Sequence, residues 1–424
     1  MSPLIKIAEP RGARVAPGGW ALWALGFRPF YLLAATFAAL SVPLWALQYA
    51  GWLGGEVLRG PAWHAHEMLF GYTLAVVVGF LFTAGRNWSG QPTPTGRALQ
   101  AMALLWLAGR VLVFTPWVLA AALVNVAFPL VAAIGLGRAL VAGRNRRNYF
   151  FIGVLVAMAA AQALVHAAFA GWLPLPASLT PQLGLQLGLD MVLFVMAVMG
   201  GRVIPMFTNN GVPGANAQRH PLVERAALGS VLALWVADAG QLQGLPMAAL
   251  LGLAAAAQGT RLALWRPWAT ARNPMVWVLH AAWGWVVLHL LLRAMAAAGW
   301  IAASPSTHAL TAGAIGTLTL GMMTRTARGH TGRLLVADRA DVLAYGLVLA
   351  GAALRVFLPM LWPAAQVDAV VASALLWSAG FAVIWRPPCF AWRSIRLSGC
   401  RAGSSPRPGQ PGSPSTRVRH SQGP

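Results

Sequence analysis

The sequence predicts an all-α, polytopic transmembrane bundle of about twelve helices. Composition is the first reason: of 424 residues, 58% are hydrophobic, 9% are charged and 20 are tryptophan, a balance far from that of a soluble domain. Spacing is the second. Apolar runs of the length a bilayer crossing needs, about 20 residues, recur near 25–50, 67–85, 98–114, 116–141, 149–172, 182–204, 222–240, 245–265, 275–300, 306–324, 340–360 and 366–385. The third is the alternation of the gaps between them. One set carries Arg86 with Arg97, then Arg144, Arg146 and Arg147, Arg219 with Arg225, Arg266 with Arg272, and Arg328, Arg333 and Arg339. The intervening gaps are nearly free of Lys and Arg. The positive-inside rule makes the Arg-rich set cytoplasmic, with both termini inside and an even number of spans between them. It also disposes of the net charge of +22. In a soluble chain that charge would suggest nucleic acid; here the arginines orient helices, and no nucleic-acid partner is expected.

Residues 1–24, with Lys6, Arg11 and Arg14 among Pro and Gly, read as a cytoplasmic arm without a cleaved signal. Residues 25–385 read as the bundle. Its runs, with dispersed Gly and Ala, are taken as helices because lipid leaves an open strand edge unsatisfied. Ahead of the second run stands Pro61-Ala62-Trp63-His64-Ala65-His66-Glu67-Met68-Leu69-Phe70-Gly71-Tyr72. Two imidazoles and a carboxylate are costly beside hydrocarbon and survive there when they are in use. On an extended entry loop both rings would point to one side, whereas a helix would splay them by about 200°; an entry loop suits paired ligands better. Further along, His166, His289 and His308 fall at the same outer depth, His280 lies in the inner half, and His330 lies in a cytoplasmic loop. Arg110, Asp190, Arg293 and Arg355 lie inside apolar runs with no obvious partner one turn away, so each must face the interior, water or one another. Arg138 and Arg202 read as arginines snorkelling to the headgroups. Residues 386–424, rich in Gly, Ser, Pro and Arg, read as a disordered basic cytoplasmic tail. No soluble domain and no short repeat is evident.

The two cysteines, Cys389 and Cys400, lie past the last run, which excludes a disulfide framework, a thiolate metal site and a Cys-x-x-Cys-His haem attachment in the bundle. A haem held by nitrogen needs neutral imidazoles facing a slot between helices, each with its second nitrogen oriented by a carboxylate or carbonyl. Glu67, next to His66, suits that orienting role. Copper wants two or three His or Met ligands. Helices bearing His64, His66, His289 and His308 would supply either group, and spacing alone names no metal. Met191, Met196, Met199, Met322 and Met323 read as core filler, and Gly313-Ala314-Ile315-Gly316 as close helix packing. No nucleophile elbow is present.

Several stretches together resemble the NnrS family of bacterial membrane proteins. They are Gly26-Phe27-Arg28-Pro29-Phe30, Trp63 to Gly71, Gly79 to Ala84 with Asn87-Trp88-Ser89-Gly90, Trp106 to Arg110, Gly201 to Thr208, His308 to Thr317, and Gly329-His330-Thr331-Gly332-Arg333. The resemblance runs in order over about residues 25 to 385, and the tail from Pro387 looks unrelated. It implies a multi-pass protein of the cell inner (cytoplasmic) membrane that contains haem and copper and acts in the response to nitric oxide stress, as in denitrification. It puts His64, His66, His308 and His330 on motif positions and matches His280 to a histidine of the ninth span. The expected metal and haem set is His64, His66, His280 and His308, with Glu67 orienting and His330 and Arg110 weaker candidates. His166 and His289 match no motif. Nitric oxide is the expected small-molecule ligand, and the sequence names no electron donor. It leaves open whether the protein turns over nitric oxide, and it leaves two rivals: a transporter whose polar path uses Arg110, Asp190 and Arg355, and a haem-linked sensor.

Overall fold

The computed structural model of the chain describes residues 21–53, 60–171, 176 and 178–385. The tail expected at 386–424 and nearly all of the N-terminal arm lie outside the described residues. Within them there is no strand, and the helices form twelve rods. These are α1 (Phe27–Tyr49), α2 (Gly60–Ser89), α3 (Gly96–Leu112), α4 (Val118–Ala142), α5 (Phe150–Ala170), α6 (Pro181–Gly211), α7 (Pro221–Ala239), α8 (Gly244–Leu264), α9 (Pro274–Ala297), α10 (303–330), α11 (Arg339–Leu361) and α12 (Gln366–Ala382). Among the described residues nine of them are long and apolar enough to cross a membrane. Of the others, α3 has 17 residues and α7 carries Glu224, Arg225 and Asp238.

The rods lie where the apolar runs put them, with one departure that matters. The second begins at Gly60 and not near residue 67, because Pro61 in the first turn is pre-set for helix and lacks only an N–H that would go unpaired there. His64 and His66 are therefore on a helix, not on an entry loop.

Each rod packs against the next in sequence, and α12 closes on α1, where Ser378 donates to the Ala38 carbonyl at 3.3 Å. The rods thus run round a closed circuit. Two lie deepest: 78% of the most apolar window of α2 and 72% of that of α6 are buried, against 33% for α8 and α11. The α6 rod touches both α2 and α9, which brings polar groups from sequence-distant rods together inside the bundle.

Both α2 and α10 are interrupted by π-helix, at Glu67–Thr73 and Ala309–Ile315. Such wide turns are rare and gather at functional sites. Each begins on the residue after a histidine, His66 in one rod and His308 in the other. Aligning His66 with His308 also aligns Gly71 with Gly313, Gly79 with Gly321, Arg86 with Arg328 and Gly90 with Gly332, without a gap. The chain therefore contains a distant repeat, too widely spaced for a search for short periods. The glycines at its centre have a steric reason: a Cβ at Gly71 would run into the Arg110 guanidinium, and one at Gly313 into the Trp285 ring.

Candidate functional site

Because α2 is helical from Gly60, its two imidazoles diverge and enter different polar nests. The first nest is built on His66. Its Nδ1 is 2.8 Å from Glu67 Oε1, and Glu67 Oε2 is 3.0 Å from Arg110 Nε on α3. Arg110 donates in turn to Asn125 Oδ1 on α4, whose amide donates to the Ala121 carbonyl at 2.8 Å. From α5, Gln162 Nε2 lies 3.4 Å from His66 Nε2, and the His166 ring is edge-on to His66 with centroids 4.8 Å apart. One carboxylate and one guanidinium cancel, so the charge is closed within the nest. Glu67 accepts from Nδ1–H and leaves the lone pair of His66 on Nε2. His166 Nε2 is buried without a hydrogen-bond partner.

The second nest holds His64, which stacks on Trp45 of α1 at 4.0 Å and 16° and whose Nδ1 has no partner. His308, at the matching end of α10, takes the Ser304 carbonyl at 2.8 Å with Nδ1. Arg355 lies on α11, which packs against the first turns of α10. All three side chains are half-buried.

The third lies among α6, α7 and α9. Arg293 is 3.5 Å from Asp190 Oδ1 and 2.5 Å from Asp238 Oδ1. Asp190 also takes an amide hydrogen from Gln186 at 2.9 Å, one turn earlier on its own helix. The partner one turn away is an uncharged amide and not an opposite charge. Beside them, His289 holds the Ser306 carbonyl at 2.7 Å with Nδ1 and buries an unpartnered Nε2. A cavity of about 340 Å³ opens here, lined by Gln186, Asp238, Met247, His289, Arg293 and Thr307 among others.

His280 and His330 stand apart. His280 Nε2 is 2.8 Å from the Thr208 hydroxyl, its Nδ1 is unpartnered, and Trp265 lies edge-on. His330 ends α10 against the Phe27 ring, at 5.3 Å. The expected set is therefore distributed: His64 with His308, His66 with His166, and His280 separately. Among the described residues no group of three or more His, Cys, Asp and Glu could hold one metal ion. Arg110, Asp190 and Arg355, the path suggested for a transporter, have no partner in common.

The donor chemistry nonetheless suits a metal. An imidazole whose Nδ1–H is tied to a carbonyl or carboxylate offers Nε2 as a ligand, and His66, His289 and His308 are all held in this way. Sequence reasoning set His166 and His289 aside for want of a motif. A local signal for His166 existed, since it follows Gln162 by one turn on one helix face.

The model of one protein family, described as NnrS protein, matches residues 21–387. No curated protein matches the chain.

Proposed function

The chain belongs to the NnrS family, and from that premise we propose that it is a haem- and copper-binding integral membrane protein that acts in the response to, and relief of, nitric oxide stress. The supporting observation is the state of two imidazoles inside the bundle: His280 and His289 each have one nitrogen tied and the other buried without a partner. His308 and His64, at the matching ends of α10 and α2, are assigned to haem. His66 and His166 are assigned to copper, which accepts a small number of imidazole ligands. His280, in the other half of α9, belongs to a separate centre, and His330 ties the end of α10 to α1. Bound haem iron would supply a site for a diatomic ligand and for one-electron exchange. The protein's residues do the rest: Glu67 holds His66 in one tautomer, Arg110 pairs with Glu67, and the buried faces of α2 and α6 exclude water.

In this reading the protein lies in the cytoplasmic membrane, with the Arg-rich ends of its rods inside. The ends of α2 and α10 that carry His64 and His308 then face outward, where nitric oxide arrives through the bilayer or from outside.

The absorption and metal content of purified protein test the proposal. A Soret band with stoichiometric copper is expected. A colourless, metal-free preparation would overturn it in favour of a transporter, a reading to which the cavity beside Arg293 lends support. Metals present without consumption of nitric oxide would make the protein a sensor. Replacing His64, His66, His280 and His308 singly by Ala tests the assignments, and full haem and copper in all four variants would refute them.

A further inference from the structure

The nest among α6, α7 and α9 does not balance. Arg293 faces two carboxylates, Asp190 Oδ1 at 3.5 Å and Asp238 Oδ1 at 2.5 Å. Among the described residues no second Lys or Arg lines the cavity there or forms an ion pair with either carboxylate. One negative charge is left over among rods that cross a membrane, where it is costly without a cation. The hydrogen bonding is unbalanced in the same sense. Asp238 Oδ2 is buried without a donor, and so is Nε2 of His289, a residue only 3% exposed. Because His289 Nδ1 meets the Ser306 carbonyl at 2.7 Å, that nitrogen carries the hydrogen, and Nε2 of the neutral ring is an acceptor. Gln186 spends its amide nitrogen on Asp190, which leaves its carbonyl oxygen. Asp238, His289 and Gln186 all line the cavity of about 340 Å³, and its walls from α8 and α10 carry no charge. That volume is at the small end of ligand pockets, which run from about 300 to 1,000 Å³.

We propose that this cavity binds a small organic cation through a primary ammonium group, which donates to Asp238 Oδ2, His289 Nε2 and the Gln186 carbonyl oxygen. Such a group supplies what the nest lacks, one positive charge and three N–H donors. Asp190 stands behind Arg293 and keeps the guanidinium from neutralising Asp238 alone. Leu189, Met247 and Leu251 offer the carbon chain an apolar wall. The surplus charge excludes an anion, and a quaternary ammonium has no N–H to give. Gln243 and Gly244, in an Arg-free gap between rods, also line the cavity, so in the orientation proposed above the cation enters from outside. The inference stands on this geometry and not on the haem reading, which assigns no metal to His289.

Isothermal titration calorimetry of the purified full-length protein tests the site with propylammonium, ammonium and tetramethylammonium chlorides. Propylammonium should bind saturably at one per chain, and tetramethylammonium should not bind. Ammonium should bind more weakly, by about fourfold for each CH₂ that the apolar wall covers. Asp238→Asn should weaken propylammonium roughly tenfold or more. Since Asp190 alone then balances Arg293, this variant should unfold at the wild-type temperature or above, which separates lost binding from lost folding. A second variant, Ala297→Phe, fills the cavity from its wall without touching a charge and should block binding. The proposal is overturned by a wild type that takes up no propylammonium, by equal affinity for all three cations, or by wild-type affinity in either folded variant. An infrared band of a protonated carboxyl that persists in saturating propylammonium would mean that a proton holds the place, and is equally fatal. Haem and copper content, measured on the same preparation, decides the functional reading separately.

Discussion

Removing Glu67 strands a guanidinium that is only 8% exposed and that no other described carboxylate approaches. Breaking one side of a buried pair costs about 3–5 kcal/mol, whereas replacing both sides with apolar groups of similar volume is often neutral. Glu67→Gln should therefore lower the unfolding temperature of the purified protein sharply, and Glu67→Leu with Arg110→Met should recover most of the loss. Equal unfolding temperatures for wild type and the single variant would show that water, and not Glu67, carries the charge of Arg110. The same carboxylate fixes the tautomer of His66, so Glu67→Gln should also weaken copper retention while leaving haem in place. Metal analysis beside the haem spectrum separates the two effects. Adjacent residues made the contact between His66 and Glu67 readable from sequence. The arginine that completes it was recognised as costly, but its partner lies on another rod, and nothing local announces a pairing of that kind.

At the level of single helices, the π turns set where the histidines point. Each widens the helix by the equivalent of one extra residue, so deleting one residue from 309–315 should restore α-helix and swing His308 by about 100° against the lower half of α10. Circular dichroism should remain unchanged while haem content falls; undiminished haem would mean that the turn is incidental to the site. Twelve helices were legible because lipid forces long apolar runs into one conformation. The π segments were not, since their composition is that of ordinary helix and only two aligned copies expose them. The separation of His64 from His66 turned on a single proline. Pro61 starts the helix about two turns ahead of the apolar run, and two imidazoles meant for one centre face two.

Across the whole molecule, the proposed reading takes all twelve rods as crossings, which puts both ends of the described chain on the side of the Arg-rich gaps, the cytoplasm. A fluorescent reporter fused at the C-terminus should mature in the cytoplasm, and an alkaline phosphatase fused there should stay inactive. Active phosphatase would reverse the orientation and move the nests of His64 and His66 to the inner face. The closure of α12 on α1 reaches beyond topology, into biogenesis. Ribosomes deliver α1 long before α12, so α1 must wait in the bilayer for a neighbour that emerges eleven rods later. Contacts that join the two ends of a chain form late and leave the unfinished product open. A nonsense mutation after Leu361 would keep every histidine in the nests described above and still yield an unclosed circuit. Pulse-chase labelling should show that product cleared by membrane proteases far faster than the full chain, so α12 decides how long the protein survives although it carries no histidine.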